Sequence, residues 1–216
     1  MSAVLATTDE TFTPRQQQVL SAALELLVSQ GDALTMTAVA RRASCSKETL
    51  YKWFGGRDGL LAAIVQWQAA KVRAPRLDRR GLDAPALRAS LVQFARDLLA
   101  TLTGEVSVAL NRMAITHAAS ETSELGPIMR RHGPAAVRSR LIPVLEAGRT
   151  AGLLRFSDSE DAYRTFFGLV VRDTQIRLLL GEALELDEAA IDAAATQAVT
   201  QFLALHGPTD NAKRGV

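Results

Sequence analysis

Residues 47–52, K-E-T-L-Y-K, carry a dense set of groups suited to a nucleic-acid groove. A lysine ammonium at Lys47 or Lys52 can donate to guanine O6 and N7. The methyl of Thr49 can touch a thymine methyl, and the hydroxyl of Tyr51 can reach a phosphate. Glu48 is acidic beside these groups, but it falls in the first turn of a predicted helix, where the helix dipole favours a carboxylate. It can also accept from cytosine N4. Leu50 and Phe54, four apart, mark the opposite, inward side of that helix. The chemistry these types and spacings allow is recognition by hydrogen bond and charge. An ordinary solvated helix face is the alternative for any four such residues taken alone.

The elements that must position them lie immediately upstream. Thr35 is a good N-cap, and Met36, Val39, Ala40 and Ala43 recur at helical spacing, leaving Thr37, Arg41 and Arg42 on the other face. Ser44, Cys45 and Ser46 break the pattern, and Ser46 caps the next helix. A short amphipathic helix, a turn and a short basic helix make the helix-turn-helix arrangement, whose second helix enters the DNA major groove.

The run S-K-E-T-L-Y-K-W-F-G-G-R-D-G-L-L, Ser46 to Leu61, resembles the N-terminal domain of the tetracycline-repressor (TetR) family of bacterial regulators. The similarity covers Pro14 to about Ile64. It implies DNA contacts at Lys47, Thr49, Tyr51 and Lys52, and at Thr35, Thr37 and Arg57 around them. It also implies dimerisation through the last two helices and a small-molecule effector. One departure from the family pattern matters for the backbone: Ser44 stands where glycine is usual in the turn. A serine held at positive φ costs roughly 1 kcal/mol. Cys45 occupies a position that is usually valine-like, and a small buried hydrophobe is the expected role, with a redox-sensing thiol as the alternative.

In chain order, 1–12 is expected to be a flexible arm. Thr13 and Gln16 form a capping box with Pro14 at the first helical position, and Leu20, Ala23, Leu24, Leu27 and Val28 make an inward stripe ended by Gly31. The helix-turn-helix follows, closed by Gly55-Gly56. A fourth helix is predicted over 57–73, and a linker over 74–85. Beyond it, helical spacing covers 86–103, 105–119, 125–131 and 134–147, the last containing Pro143, where a kink is expected. Ser157-Asp158-Ser159-Glu160 starts a long helix to Leu180, and Asp187 caps a last helix to Leu205. The tail from Thr209 is expected to be disordered. The fold class is all-α, about nine helices, with a DNA-binding domain over 13–73 and an effector-binding and dimerisation domain over 86–206.

Phe166 and Val170 on one C-terminal helix, with Ile191, Ala195, Val199 and Phe202 on the next, are the expected dimer interface. Packing of both helices inside one subunit is the alternative. Phe94, Leu98, Met113, His117, Arg140, Phe167 and Arg172 are candidate effector contacts. Core packing is the alternative for the apolar ones, and ion pairing, with Asp173 or Glu146 for example, for the arginines.

Composition excludes much else. Net charge is only +2, but residues 1–80 carry 11 Lys/Arg against 7 Asp/Glu, and 37–57 carry five basic residues against one acid. A locally basic motif on a near-neutral chain suits phosphate contact rather than general adhesion. No apolar run approaches the roughly 20 residues of a membrane span, and the first dozen residues lack the pattern of a signal peptide. The single cysteine cannot form an internal disulfide, which suits a reducing cytoplasm. The three histidines are too dispersed for a metal site, and no nucleophile elbow, Walker loop or dinucleotide fingerprint occurs. The expectation is therefore a ligand-responsive regulator, most simply a repressor, that binds a palindromic double-stranded operator as a homodimer. It is expected to need no catalytic residue, metal or cofactor. A constitutive DNA-binding protein without effector, or a helical enzyme, are the other classes.

Overall fold

The computed structural model describes residues 12–30, 34–75, 81–116 and 124–208. Among these there is no strand, and eleven helices occur: α1 Pro14–Gln30, α2 Met36–Arg42, α3 Lys47–Phe54, α4 Arg57–Ala69, α5 Ala84–Thr103, α6 Glu105–Thr116, α7 Leu125–His132, α8 Pro134–Thr150, α9 Ser159–Val171, α10 Thr174–Leu179 and α11 Glu188–His206. The expected Gly31 stop, most of the N-terminal arm and the tail from Thr209 lie outside the described residues. The chain forms two compact units, Met1–Lys71 with Gly104–Ala136, and Val72–Thr103 with Val137–Val216. This division departs from the linear one at 13–73 and 86–206, because 104–136 turns back to join the N-terminal helices.

The first unit is built on α1. Its start is the expected capping box: the Thr13 N–H donates to Gln16 Oε1 at 2.9 Å, and the Gln16 N–H to Thr13 Oγ1 at 3.3 Å. Val19, Leu20, Ala23 and Leu27 are fully buried, and they share one core with Val39 and Leu50 of the helix-turn-helix and with Leu60, Leu61, Ile64 and Val65 of α4. Leu110 and Met113 of α6 and Leu125 of α7 complete that core. Helix α7 lies along α4, where His132 Nδ1 and Gln66 Nε2 are 2.8 Å apart. The helix that was expected to reach Arg73 ends at Ala69.

In the second unit α11 packs along α5 and α9. Phe166 sits edge-on to both Phe94 (6.2 Å between centroids) and Phe202 (5.3 Å), geometries that favour aromatic contact. The Asp158 carboxylate caps α9 by accepting from the Glu160 and Asp161 N–H groups, one residue later than the capping box predicted from Ser157. Asp187 caps α11 as expected, accepting from Ala190 at 2.7 Å. The predicted long helix to Leu180 is broken at Arg172, which adopts φ 47°, so α9 and α10 are separate and the helix count exceeds nine. Helix α8 continues through Pro143.

The residues expected at the dimer interface all pack within the second unit's core. Phe166, Val170, Ala195, Val199 and Phe202 are buried inside a single chain, and Ile191 packs half-buried against the same cluster. A stripe of aromatic and aliphatic residues on two adjacent helices has the same sequence signature whether it packs within or between chains.

Truncating Phe202→Ala should therefore destabilise the protein by about 3–5 kcal/mol, the usual cost of removing a buried phenylalanine, measured by chemical denaturation. Burial also raises the Tyr163 pKa above its ordinary value. The neutral phenol is favoured in the folded state, so stability present below pH about 10 should fall as pH rises past it. Tyr163→Phe should flatten that alkaline limb in a pH series of thermal melts.

Candidate nucleic-acid interface

Local rules place the two short helices. Thr35 Oγ1 accepts from the Ala38 N–H at 3.1 Å, and Ser46 Oγ from the Thr49 N–H at 3.1 Å, so both caps stand where the sequence put them. Gly55 ends α3 at φ 76°, a left-handed position that glycine takes without penalty, and its N–H reaches the Tyr51 carbonyl at 2.8 Å. Leu50 and Phe54 are buried in the first unit's core, with Trp53 edge-on to Phe54. The turn between the helices is tight: the Cys45 N–H donates to the Ala40 carbonyl at 3.0 Å, and Ser44 sits at φ 49°. The positive φ that the family's glycine implies is therefore present, held by a serine. Cys45 is half-buried, packed against the core.

With Leu50 and Phe54 turned inward, Lys47, Glu48, Tyr51 and Lys52 are exposed, Tyr51 to 53%. Thr49 is half-buried, its hydroxyl 3.1 Å from that of Ser46. Thr35 and Thr37 are exposed at the start of α2. Arg57 is exposed but anchored, its Nε donating to the Leu34 carbonyl at 3.2 Å. Arg42 pairs with Glu25 of α1 in an exposed ion pair. The carboxyl of Glu48 is held below the usual carboxylate range by its own backbone N–H, the Ser46 hydroxyl and neighbouring Lys47. It stays an anion, able to accept but not to donate.

One polar contact went unseen in the sequence. Arg15 of α1 donates through Nη2 to the carbonyls of Ala43 (2.8 Å) and Ser44 (3.0 Å), at separations of 28 and 29 residues. No periodicity argument reaches across that distance.

The candidate effector residues do not form one cluster. Phe94 and Leu98 are buried in the second unit's core, with Phe167 packed half-buried against it, whereas Met113 belongs to the first unit. Arg140 is half-buried, and desolvation lowers its pKa. Arg172 is exposed at the break after α9 and donates to Gln201 Oε1 at 3.0 Å, so it serves the α9–α11 contact rather than a cavity. His117 lies outside the described residues. An open groove of about 580 Å³, lined by Gly81, Leu82, Pro143, Glu146, Ala147, Thr150 and Ala151, contains none of them. Among the described residues no His/Cys/Asp/Glu group could hold a metal ion, and no helix is long and apolar enough to cross a membrane.

A capped, core-anchored basic helix set after a tight turn defines a helix-turn-helix DNA-binding protein. Comparison narrows the class. A model of the bacterial regulatory proteins of the tetR family matches residues 19–64, and one of the AefR-like transcriptional repressor C-terminal domain matches residues 89–208. A TetR transcriptional regulator from Agrobacterium tumefaciens is 48% identical, with 92% of this chain and 97% of that chain covered and a TM-score of 0.79. The flavonoid-responsive regulator FrrA is 30% identical over 90% of this chain and 98% of its own, with a TM-score of 0.64. A TetR-family regulator from Mesorhizobium loti is 24% identical over 90% and 97%, with a TM-score of 0.74. No curated protein matches the chain. The chain belongs to the TetR family of transcriptional regulators, and the proteins it resembles are regulators, not enzymes.

Removing the α3 cap with Ser46→Ala should cost about 1 kcal/mol of stability by denaturant titration. The same variant should raise amide exchange first at Thr49, whose N–H loses its acceptor.

Proposed function

We propose that this protein is a homodimeric, effector-released repressor that places one α3 in each major groove of a palindromic operator. The observation that carries the reading is the exposed row Lys47, Glu48, Tyr51 and Lys52 on a helix fixed by two caps and two buried anchors. Thr49 joins it at the helix start, with Thr35, Thr37 and Arg57 flanking it as phosphate contacts. Half-sites on a palindrome are about 34 Å apart, a spacing that requires two copies held in fixed register. The face of α11 left exposed within one chain includes Ala193, Ala194 and Ala204, which with exposed Gly168 on α9 supply small residues for close helix approach between copies.

The effector binds among the helices of 86–180 and favours a conformation whose recognition helices no longer fit the groove spacing. An apolar, aromatic molecule is the proposed effector class, supported by similarity to a regulator named flavonoid-responsive and by the Phe and Leu content of these helices. Helix α4, which runs from the recognition helix to the chain's crossing into the second unit at Val72, is the lever. The protein acts in the cytoplasm and carries out no catalysis.

Fluorescence anisotropy on duplex DNA from upstream of the coding region, beside a scrambled duplex, tests this. Tight, salt-sensitive, selective binding is expected, and Tyr51→Ala with Lys52→Ala should abolish the selectivity. Loss of the two phosphate or base contacts should also flatten the dependence of log affinity on log salt by about one per phosphate contact. Complete absence of DNA binding at low salt would refute the reading. A panel of flavonoids should release the DNA, and Ile64→Val should weaken that release without weakening DNA binding; an unaltered response would remove α4 from the mechanism.

A further inference from the structure

Arg15 stands on the first turn of α1, outside the helix-turn-helix, yet its guanidinium reaches into the turn of that motif. One nitrogen, Nη2, donates to the last carbonyl of the α2 C-cap, Ala43, at 2.8 Å and to the carbonyl of Ser44 at 3.0 Å. The other, Nη1, donates to Gln18 Oε1 at 2.9 Å, which fixes the plane of the group. Ser44 is one of only two non-glycine residues at positive φ among the described residues. A left-handed serine is disfavoured, and the carbonyls at a helix C-terminus lack intrahelical partners and carry partial negative charge.

We propose that Arg15 is a positioning residue for DNA recognition: its guanidinium clamps the strained α2–α3 turn and so fixes the angle at which the recognition helix leaves α2. The clamp stands in for the glycine that would make this backbone strain-free. It rests on the DNA-binding reading above, since its consequence is measured on DNA. A planar fork with two N–H groups on one nitrogen suits two adjacent carbonyls, whereas a lysine ammonium on a flexible stem does not replace it.

The rival role for an exposed arginine here is a direct phosphate contact, and Arg15→Lys separates the two. In the clamp, Arg15→Lys and Arg15→Ala both lose about tenfold in affinity for the operator, while Arg15→Lys keeps wild-type affinity for the scrambled duplex and an unchanged salt slope. Hydrogen exchange in the free protein rises at Cys45 and Thr49 in both variants, well below the unfolding temperature. Ser44→Gly added to Arg15→Ala restores a large part of the operator affinity, because glycine holds the turn unaided. Wild-type behaviour of Arg15→Lys, with Arg15→Ala weakened equally on both duplexes and its salt slope reduced by about one, would overturn the clamp in favour of a phosphate contact. Unchanged exchange at Cys45 and Thr49 would overturn it as well. Should the wild type itself fail to distinguish the duplexes, the functional reading falls, and the exchange arm alone decides the clamp.

Discussion

An eight-residue helix cannot hold its own shape in water, and α3 has eight residues. Its direction and register are imposed from outside: by the Ser46 cap, by Gly55 in the left-handed region, and by Leu50 and Phe54 sunk into a core that α1, α4, α6 and α7 also build. The exposed row of Lys47, Tyr51 and Lys52 is thus positioned by side chains on its opposite face. Everything in the first unit can be understood as the surface into which those two anchors fit.

The electrostatics follow from the same placement. Glu25 of α1 pairs with Arg42, while Glu48 is kept ionised at the N-terminus of α3 beside Lys47. Lys47 and Lys52 stay exposed on α3 with Glu48 between them, and Arg15, Arg41 and Arg57 are exposed around the motif. Charged contacts to phosphate fix register on a duplex, while base-edge contacts read its sequence. Arg57, held to the Leu34 carbonyl, fixes the start of α4 to the entry of α2.

The helix-turn-helix was legible in the sequence almost residue by residue, because caps, glycine stops and i, i+4 spacing are local rules. Thr35, Ser46 and Gly55 all act as those rules require. What escaped were features set by distant partners. Arg15 meets Ser44 across 29 residues. Arg172 interrupts a stretch whose composition alone suits a continuous helix. Phe166, Val170, Val199 and Phe202 carry the pattern of a buried stripe, which fixes that they are covered but not by which chain. The candidate effector residues were not distinguishable by unit: Met113 sits in one and Phe94 in the other, since apolar helix faces look alike whatever they enclose.

The chain crosses between its two compact units three times, after Lys71, Thr103 and Ala136. The DNA-reading head is consequently not a detachable cassette. The stretch that matches the tetR-family N-terminal domain ends at residue 64, yet Leu110, Met113 and Leu125 share the core on which α1 and α4 close. A chimera joined at a single point after α4 would leave that flank bare and prone to self-association. Exchange of the first unit between regulators of this architecture requires moving 104–136 as well, so the two units cannot be recombined as independent blocks.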